Sequence, residues 1–527
     1  MARWRVCVGF VLLFGLALTG CAPRVGRSAP HTLTAEATPI AILTPTSTAL
    51  PIPTATPTAT PTQAPTSTPA PTTEPLPTIA TAAPALLLTP TATLTPQAYL
   101  PTVPVDWALS LWETEVVLNT YGWEQALVPT APDDPIYPYP RLDSGAVGPP
   151  APRAYHAIVL ENAYTRVIVL PELGGRILRW DDLVTGRRLT YENPVIKPTG
   201  WGYRGWWLAT GGLEWAFPVD EHGLNEWRPW QYERLSGEGW RGVRVWDIES
   251  RTGMVIEVTL QLYAGRSELY ITPRITNPTE SAQSFQFWIN AMLTVGDGNA
   301  PSSALRFWMP TTQAMVHSTG DGSLPAPGAW MDWPIHNGRD FSRYAEWRSY
   351  LGLFAQEATG AVGAYDTAAD QGLVRIYPPG VAQGVKLFCL GDLPSWLYTD
   401  GESRYFELWG GYTRTFWDYA ALPAGGVLSW QERWYPVHGI GMLSWASAEW
   451  AVAFRQTSEG LALGAYAPLV NTGRLVLLRP EGTVAETWEL SVGPGFPFEA
   501  HYPGGGVDWT LQLWQGETLL TTVTPTP

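Results

Sequence analysis

Apolar and polar residues alternate along much of the chain beyond residue 105. From Met254 to Leu262 every second residue is apolar. A turn at residues 264–267 follows, and the alternation resumes from Leu269 to Ile275. Successive side chains of a strand point to opposite faces of its sheet, so a period of two predicts a β-hairpin with one buried face.

The same pattern recurs often enough to set the fold class. Segments of this kind lie at residues 166–169, 241–248, 473–478 and 509–514. We predict an all-β fold, an antiparallel sandwich of large sheets over residues 105–440. A small C-terminal β-domain is predicted over residues 441–527, and its start is marked by one predicted helix, Ser444 to Phe454.

The first 21 residues have the pattern of a targeting segment. Arg3 and Arg5 precede an apolar run from Val6 to Leu18, which is shorter than the roughly 20 residues that span a bilayer. The run ends in Leu-Thr-Gly before Cys21, and this resembles the bacterial lipobox. The resemblance implies cleavage before Cys21, lipidation of that cysteine, and an extracytoplasmic protein anchored to the cell membrane. The alternative is an ordinary secretory signal with a chance cysteine.

Residues 22–104 are predicted to be a disordered tether. Thr, Pro, Ala and Ser dominate this segment, and repeated proline removes backbone hydrogen-bond donors while few side chains are available to form a core. An extended chain of this composition spans about 3.1 Å per residue. We predict that it holds the folded part of the protein away from the membrane.

Charge and cysteine content exclude several classes of function. The formal net charge is −15, and no Lys/Arg stripe is present to neutralise phosphates, so we predict no nucleic-acid partner. Cleavage before Cys21 would leave Cys389 as the only cysteine of the folded part, so no intrachain disulfide is possible there. No Cys/His spacing typical of a metal site is present, and we predict neither a metal nor a cofactor.

Two stretches carry candidate chemistry. The first, residues 210–230, combines one histidine, three glutamates, one arginine and several tryptophans with glycines at its turns. Aromatic faces beside carboxylates suit a sugar, because its C–H faces stack while its hydroxyls form hydrogen bonds. An ordinary core with a surface histidine fits the same residues. We select His222 as a catalytic candidate. The substrate-binding candidates are Glu214, Trp215, Glu226, Trp227 and Arg228.

The second stretch is residues 404–411, where Glu407 interrupts an apolar strand that also contains Trp409. Burial among aromatic residues raises the pKa of a carboxyl group, which suits a general base. A structural, ion-paired glutamate is the alternative. We select Glu407 as a catalytic candidate and Trp409 as a substrate contact.

Three motifs in order resemble the galactose mutarotase-like superfamily of aldose 1-epimerases and hexose-6-phosphate epimerases. They are LPELGGRI at residues 170–177, GGLEWAFP at 211–218 followed by HGLNEWRPW at 222–230, and YFELWGG at 405–411 followed by LPAGGVLSWQERWYP at 422–436. YENPVIKP at 191–198 and KLFCLGDL at 386–393 resemble an uncharacterised bacterial mutarotase-like family still more closely.

The resemblance implies a supersandwich of antiparallel sheets with a sugar-binding cleft. It further implies Glu407 as the base at the anomeric hydroxyl and His222 and Arg176 as substrate contacts. One departure matters, because mutarotases protonate the ring oxygen from a histidine in a strand that corresponds here to residues 285–293, which contain none. Either His222 or His317 would have to supply the acid.

Three functions therefore stay open from the sequence. The first is a surface protein that binds carbohydrate in the cleft without chemistry. The second is a sugar-active enzyme, an epimerase or a hydrolase or lyase variant, in which a hydrolase would need a second carboxylate beside Glu407, from Glu214 or Glu226. The third is a structural or protein-binding surface domain.

Overall fold

The computed structural model describes residues 109–526. The predicted targeting segment with Cys21 and the predicted tether lie outside these residues, so both stay predictions. Within residues 109–526 no helix is both long and apolar enough to cross a membrane.

Nearly all regular structure is β-strand. In chain order the strands are β1 Ser110–Gly122, β2 Leu127–Val128, β3 Arg141–Leu142, β4 Gly148–Glu161, β5 Thr165–Leu170, β6 Arg176–Asp182, β7 Arg187–Arg188, β8 Glu192–Thr199, β9 Trp207–Ala216, β10 Gln231–Gly237, β11 Trp240–Ile248, β12 Val255–Tyr263, β13 Leu269–Thr276, β14 Gln283–Phe285, β15 Trp288–Leu293, β16 Leu305–Trp308, β17 Gln313–Thr319 and β18 Trp330–Asp332. They continue as β19 Ile335–His336, β20 Arg339–Asp340, β21 Leu351–Ala355, β22 Ala361–Asp366, β23 Gln371–Ile376, β24 Gly384–Cys389, β25 Phe406–Gly411, β26 Ala420–Leu422, β27 Val427–Ser429, β28 Glu432–His438, β29 Trp445–Ala446, β30 Ala451–Thr457, β31 Gly460–Tyr466, β32 Asn471–Leu478, β33 Val484–Val492, β34 Phe498–Pro503, β35 Thr510–Gln515 and β36 Thr518–Val523. Short 3₁₀ turns lie at Glu124–Ala126, Ser144–Ala146, Tyr344–Glu346 and Ser395–Leu397.

Two large sheets form the body of the protein. The first sheet has 13 strands in the order β18-β17-β21-β24-β25-β15-β9-β8-β1-β4-β5-β6-β7, and β9 also pairs with β6. The second sheet has 9 strands in the order β10-β11-β12-β13-β28-β23-β22-β16, with β27 beside β13. Neighbouring strands are antiparallel apart from the short pairing of β1 with β8. The all-β antiparallel sandwich predicted from the sequence is confirmed.

The main core lies between these sheets. The predicted hairpin at residues 254–275 is the β12–β13 pair, with a turn at Gly265 whose φ is 75°. Its alternate apolar residues, such as Val258 and Ile271, are fully buried and pack with Leu213, Ile289 and other side chains of the first sheet. Removing this apolar area from water is the main source of stability, at about 25 cal/mol per Å².

Two four-stranded sheets follow at the C-terminal end. Their orders are β29-β30-β31-β34 and β33-β32-β35-β36, and they enclose a second core that contains Trp450, Phe454, Leu475 and Leu513. A small C-terminal β-domain is therefore present, whereas its exact limits at 441 and 527 stay a prediction.

The predicted helix from Ser444 to Phe454 is wrong. The segment contains β29 and the start of β30. Val452 and Phe454 point into the C-terminal core, while Ala451 and Ala453 pack against the outer face of the second sheet through Tyr365 and Val437. A strand buried on both faces has no polar alternation, so periodicity alone does not distinguish it from a short buried helix.

Candidate functional site

A group of polar side chains lies on the face of the first sheet that points away from the main core. Strands β9, β15, β25 and β24 are consecutive in this sheet. Asn290 is paired in register with Glu214 on one side and Trp409 on the other, and Lys386 is paired with Trp409. Glu407 shares the face of Trp409 because the two are separated by two positions on one strand. We call the group the polar cluster; its members are Arg176, Glu214, His222, Asn290, Lys386 and Glu407.

Two consecutive glycines turn Glu214 toward the polar cluster. Gly211 and Gly212 have φ angles of 93° and 74°, a left-handed conformation that favours glycine. Before them, Trp207 and Ala209 face the cluster side, whereas after them Leu213 and Trp215 face the main core. The irregularity shifts the alternation of β9 by one residue, and this places Glu214 on the cluster face.

His222 is held from the loop after β9. Its Nδ1 lies 2.5 Å from Oε1 of Glu214, and its ring stacks on Trp207 at a centroid distance of 3.9 Å and an interplanar angle of 16°. The ring of Trp409 lies on another side at 5.8 Å. The imidazole therefore has one orientation, set by a carboxylate and two indoles.

Glu214 is the centre of the hydrogen bonds behind His222. Besides the histidine, Trp207 Nε1 donates to it at 2.9 Å and Asn290 Nδ2 at 3.1 Å, and Arg176 Nη2 lies 3.3 Å away. Burial opposes ionisation of this carboxyl, but His222, Arg176 and Trp207 outweigh burial and lower its pKa. Glu214 is therefore an ionised group that orients others.

The same contacts raise the pKa of His222. Burial by itself lowers it, but the charge of Glu214 and the hydrogen bond to Glu214 outweigh this, with smaller help from Glu407 and Glu221. The imidazole is thus biased toward its protonated form, which can donate a proton or a hydrogen bond.

The pKa of Glu407 is raised as well. Burial raises its pKa above the ordinary value, although Lys386, His222 and a hydrogen bond from Trp409 Nε1 to Oε2 at 2.7 Å work against the rise. A carboxyl group with a raised pKa beside a histidine with a raised pKa has the composition of an acid–base pair.

Solvent exposure divides the polar cluster into a front and a back. His222, Glu407 and Lys386 keep 8%, 4% and 3% of their surface, whereas Arg176, Glu214 and Asn290 have none. A ligand that approaches from solvent therefore reaches the first three. Arg176 and Glu214, predicted as substrate contacts, lie behind them and act on a ligand only through other side chains in this arrangement.

Four predicted substrate contacts lie elsewhere. Trp215 is in the main core and donates to the carbonyl of Gly175. Glu226 makes a buried two-pronged ion pair with Arg204. The other two are Trp227, which packs with Trp123 and Trp206, and Arg228, which pairs with Asp247. The structure does not bring these four to the polar cluster, because neighbours in sequence on β9 and its loop alternate between faces.

His317, the other acid candidate, contacts the edge of the site. Its ring meets Phe416 at 5.2 Å and Phe354 at 5.3 Å. Burial and the nearby charge of Lys386 hold its pKa well below the ordinary value. It is therefore neutral where His222 is charged, and His222 is the better placed acid.

Sequence reasoning missed Lys386, Asn290 and Trp207. The signal for Lys386 was available, since it stands between Val385 and Leu387, both of which face the core. A lone lysine at an alternate position of an apolar strand marks a polar spot on the opposite face. Trp207 lacked such a signal, because the glycine irregularity that decides its face is a property of the backbone.

Two open pockets lie away from the polar cluster. One, of about 410 Å³, is lined by residues that include Tyr121, Lys197 and Trp206. The other, of about 440 Å³, includes Arg455 and His501. Neither includes a member of the polar cluster, and we base the candidate site on the interacting titratable groups instead of on volume. In residues 109–526 no three His, Cys, Asp or Glu side chains are grouped as a metal ion needs; the absence of a metal and a cofactor stays a prediction.

Several solved structures are similar to this chain in fold. A TPR-domain containing protein from Parabacteroides distasonis has 24% identity and a TM-score of 0.55, over 63% of this chain and 56% of that one, so this chain spans little more than half of that protein's length. A galactose mutarotase-like protein from Clostridium acetobutylicum has 10% identity and a TM-score of 0.37 over 54% of this chain and 96% of that one. A galactose mutarotase related enzyme from Lactobacillus acidophilus has 10% identity and a TM-score of 0.39 over 54% and 97%.

The all-β sandwich is similar in fold to solved structures of galactose mutarotase-like proteins, the superfamily that the sequence motifs resemble. These likenesses concern the fold alone. The model of one family, described as "Domain of unknown function (DUF5107)", matches residues 132–419, more than half of the chain. The chain belongs to this family.

Proposed function

We propose that this protein is a lipid-anchored surface protein that binds carbohydrate over the front of the polar cluster. The observation that carries the proposal is the combination of buried, interacting charged groups with exposed aromatic side chains around them. Burying charges is costly unless they are paired or used, and exposed aromatic rings beside such groups are typical of sites that bind sugars.

Four aromatic residues, which we call the aromatic rim, surround the front: Trp201, Tyr203, Trp417 and Tyr419. The ring of Trp417 lies 5.9 Å from that of His317. Burial raises the pKa of Tyr419 to about 12, and the nearby charge of Asp220 adds to the rise. Gly202, between Trp201 and Tyr203, lies directly over His222, since a Cβ built there would be 3.5 Å from the imidazole. Tyr203, Trp417 and Tyr419 are 41%, 51% and 51% exposed.

This arrangement matches the two kinds of surface that a sugar presents. Its C–H faces stack on indole and phenol rings, and its hydroxyls exchange hydrogen bonds with charged groups. On the front, His222 donates and Glu407 accepts. We further propose that the lipobox and the tether carry this site outside the cell membrane, with neither nucleic acid nor metal required.

Binding of a glycan array by the full-length chain in detergent tests the proposal. We expect Glu407→Gln and His222→Gln each to weaken binding about tenfold or more, since a hydrogen bond to a charged group contributes roughly 1.5–3 kcal/mol. Arg228→Gln, which removes a partly exposed arginine outside the polar cluster, is the matched control and should bind normally. Equal binding by all four proteins, with equal melting temperatures, would sink the proposed site.

The aromatic rim gives a second expectation. Trp417→Ala should weaken glycan binding about three- to tenfold, because it removes a stacking surface without touching a charge. Trp112→Ala, a similarly exposed tryptophan on β1, should leave the affinity unchanged. A titration by isothermal calorimetry on the best array hit measures both, and equal losses in the two variants would contradict a role for the rim.

A second candidate function is favoured by one observation, the raised pKa values of both Glu407 and His222 on the same front. As an epimerase, Glu407 would take the proton of the anomeric hydroxyl while protonated His222 gives one to the ring oxygen, the ring C–O bond breaks, and reclosure reverses both transfers. Interconversion of anomers followed by NMR, with the parent against Glu407→Gln, separates the candidates. If the parent protein interconverts anomers no faster than the uncatalysed reaction, the epimerase function is contradicted and carbohydrate binding is the remaining proposal.

A further inference from the structure

We propose that Lys386 binds a carboxylate group of the ligand, so that the preferred ligands are acidic sugars such as uronates and glycans that contain them. This inference rests on the proposed carbohydrate site and names the class of sugar that the site takes. Lys386 has no place in the acid–base pair and was not selected from the sequence.

The position of Lys386 is unusual for a lysine. It lies on β24 on the front of the polar cluster and is 3% exposed. Its Nζ lies 4.6 Å from the ring centroid of Trp409, 4.4 Å from that of Phe416 and 5.2 Å from that of Phe388. Three aromatic rings therefore hold the ammonium group in place.

The ammonium group has no acceptor of its own. The chain contains only two lysines, and Lys197 Nζ bonds Asp400 at 2.7 Å. In contrast, Lys386 Nζ makes no hydrogen bond and has no carboxylate oxygen within 4.0 Å among residues 109–526. An ammonium carries three donors and a strongly hydrated charge, and aromatic rings satisfy the charge without satisfying the donors. A ligand oxygen at this position would accept hydrogen bonds from these donors.

Three carboxyl groups lie near Lys386 and influence its pKa without forming an ion pair with it. Glu407, Glu221 and Asp220 influence its pKa in the upward direction, but burial outweighs them and lowers it. Burial raises the pKa of Asp220 to about 7 and raises that of Glu407. Asp220 is thus partly protonated near neutral pH.

The carboxylate of Glu214 is already in contact with two other cationic groups. Arg176 and protonated His222 share the single carboxylate of Glu214, and His317 is neutral for the reason given above. Lys386 is therefore left without a carboxylate in contact among residues 109–526, and a ligand carboxylate would supply one. A single ammonium suits a carboxylate, whereas phosphate recognition typically gathers several donors.

Paired ligands test the inference by calorimetry at pH 6. The probes are the methyl glycosides of glucose, galactose and mannose, and the corresponding methyl uronides, in which the C6 hydroxymethyl is a carboxylate. We expect the preferred uronide to bind the full-length chain at least tenfold more tightly than its neutral partner. Lys386→Met should reduce this ratio to about one, Lys386→Arg should retain part of it, and Lys197→Met should retain it fully.

A second measurement covers the possibility that Lys386→Met does not fold. Protein labelled with ¹³C-lysine gives two Cε signals, and we expect the uronide to shift the signal of Lys386 alone. Neutral glycosides that bind as tightly as the uronides would overturn the inference but not the proposed function, as would tighter binding of hexose 6-phosphates. Failure of every probe and of every array glycan to bind would overturn both.

Discussion

Gly212→Ala is expected to lower the free energy of unfolding by about 2–5 kcal/mol. Gly212 has a φ of 74°, which costs a residue with a Cβ about 1–2 kcal/mol. A Cβ there would also lie 1.8 Å from the carbonyl oxygen of Ile177 and 2.8 Å from that of Leu178. These atoms are backbone atoms of β6, so they yield only if β6 and β9 separate, and overpacking of this kind costs about 1–3 kcal/mol more.

Gly186→Ala is the matched control for this variant. Gly186 has nearly the same φ, 71°, but a Cβ there would meet no atom within 4 Å. We expect it to lose about 1–2 kcal/mol, the conformational cost alone. Urea unfolding followed by tryptophan fluorescence measures both, and equal losses would show that the close approach of β6 to β9 contributes nothing.

Glu214→Gln is expected to have the largest effect on the site. It leaves Arg176 buried without a countercharge, a change that typically costs about 3–5 kcal/mol. It also removes the main cause of the raised pKa of His222, so burial should then bring that pKa down toward or below the ordinary value of 6.5. Titration of ¹³C-histidine-labelled protein by NMR, with His222→Gln for assignment, measures the change.

The pH dependence of stability follows from the same pair. Because the pKa of His222 is raised on folding, its contribution is fully present below pH 6.5 and is lost as the pH rises through the folded-state pKa. Because the pKa of Glu214 is lowered, its contribution is present above its ordinary value of 4.5 and is lost as the pH falls through the folded-state pKa. Glu214→Gln should flatten the stability profile on both sides.

Glu226→Gln provides the control, since Glu226 is equally buried and paired with the buried Arg204 outside the polar cluster. It should cost similar stability but leave the titration of His222 and glycan binding unchanged. If both variants lowered the pKa of His222 equally, the effect would come from general loosening of the fold, and the role assigned to Glu214 would be wrong.

The sequence predicted the fold well where burial is one-sided. The β12–β13 hairpin was readable because Ile256 and Val258 alternate with polar residues, and alternation depends only on local order. The strand at Ala451 was not readable, because its two faces pack against two different cores. Whether a strand is buried on one face or on both depends on tertiary packing, which local sequence order does not show.

The same reason limits what could be known of the site. Glu407 and His222, which were selected from an interrupted apolar strand and from motif resemblance, both lie in the polar cluster, and their roles stay predictions. Glu226, Trp227 and Arg228 were selected with them by closeness in sequence, yet their side chains turn to other partners. Their proposed contacts with a substrate have no support from this arrangement, and the roles of all site residues still depend on the experiments above.

The position of the C-terminal β-domain determines which surfaces of the protein stay accessible. It packs on the outer face of the second sheet through Tyr365, Val374 and Tyr435, whereas the polar cluster lies on the outer face of the first sheet. The polar cluster and the C-terminal β-domain thus lie on opposite sides of the two large sheets. Immobilising the protein through residues near Val523 should therefore leave the front of the polar cluster unobstructed. A ligand at the front and a partner on the C-terminal β-domain would be separated by the thickness of both sheets.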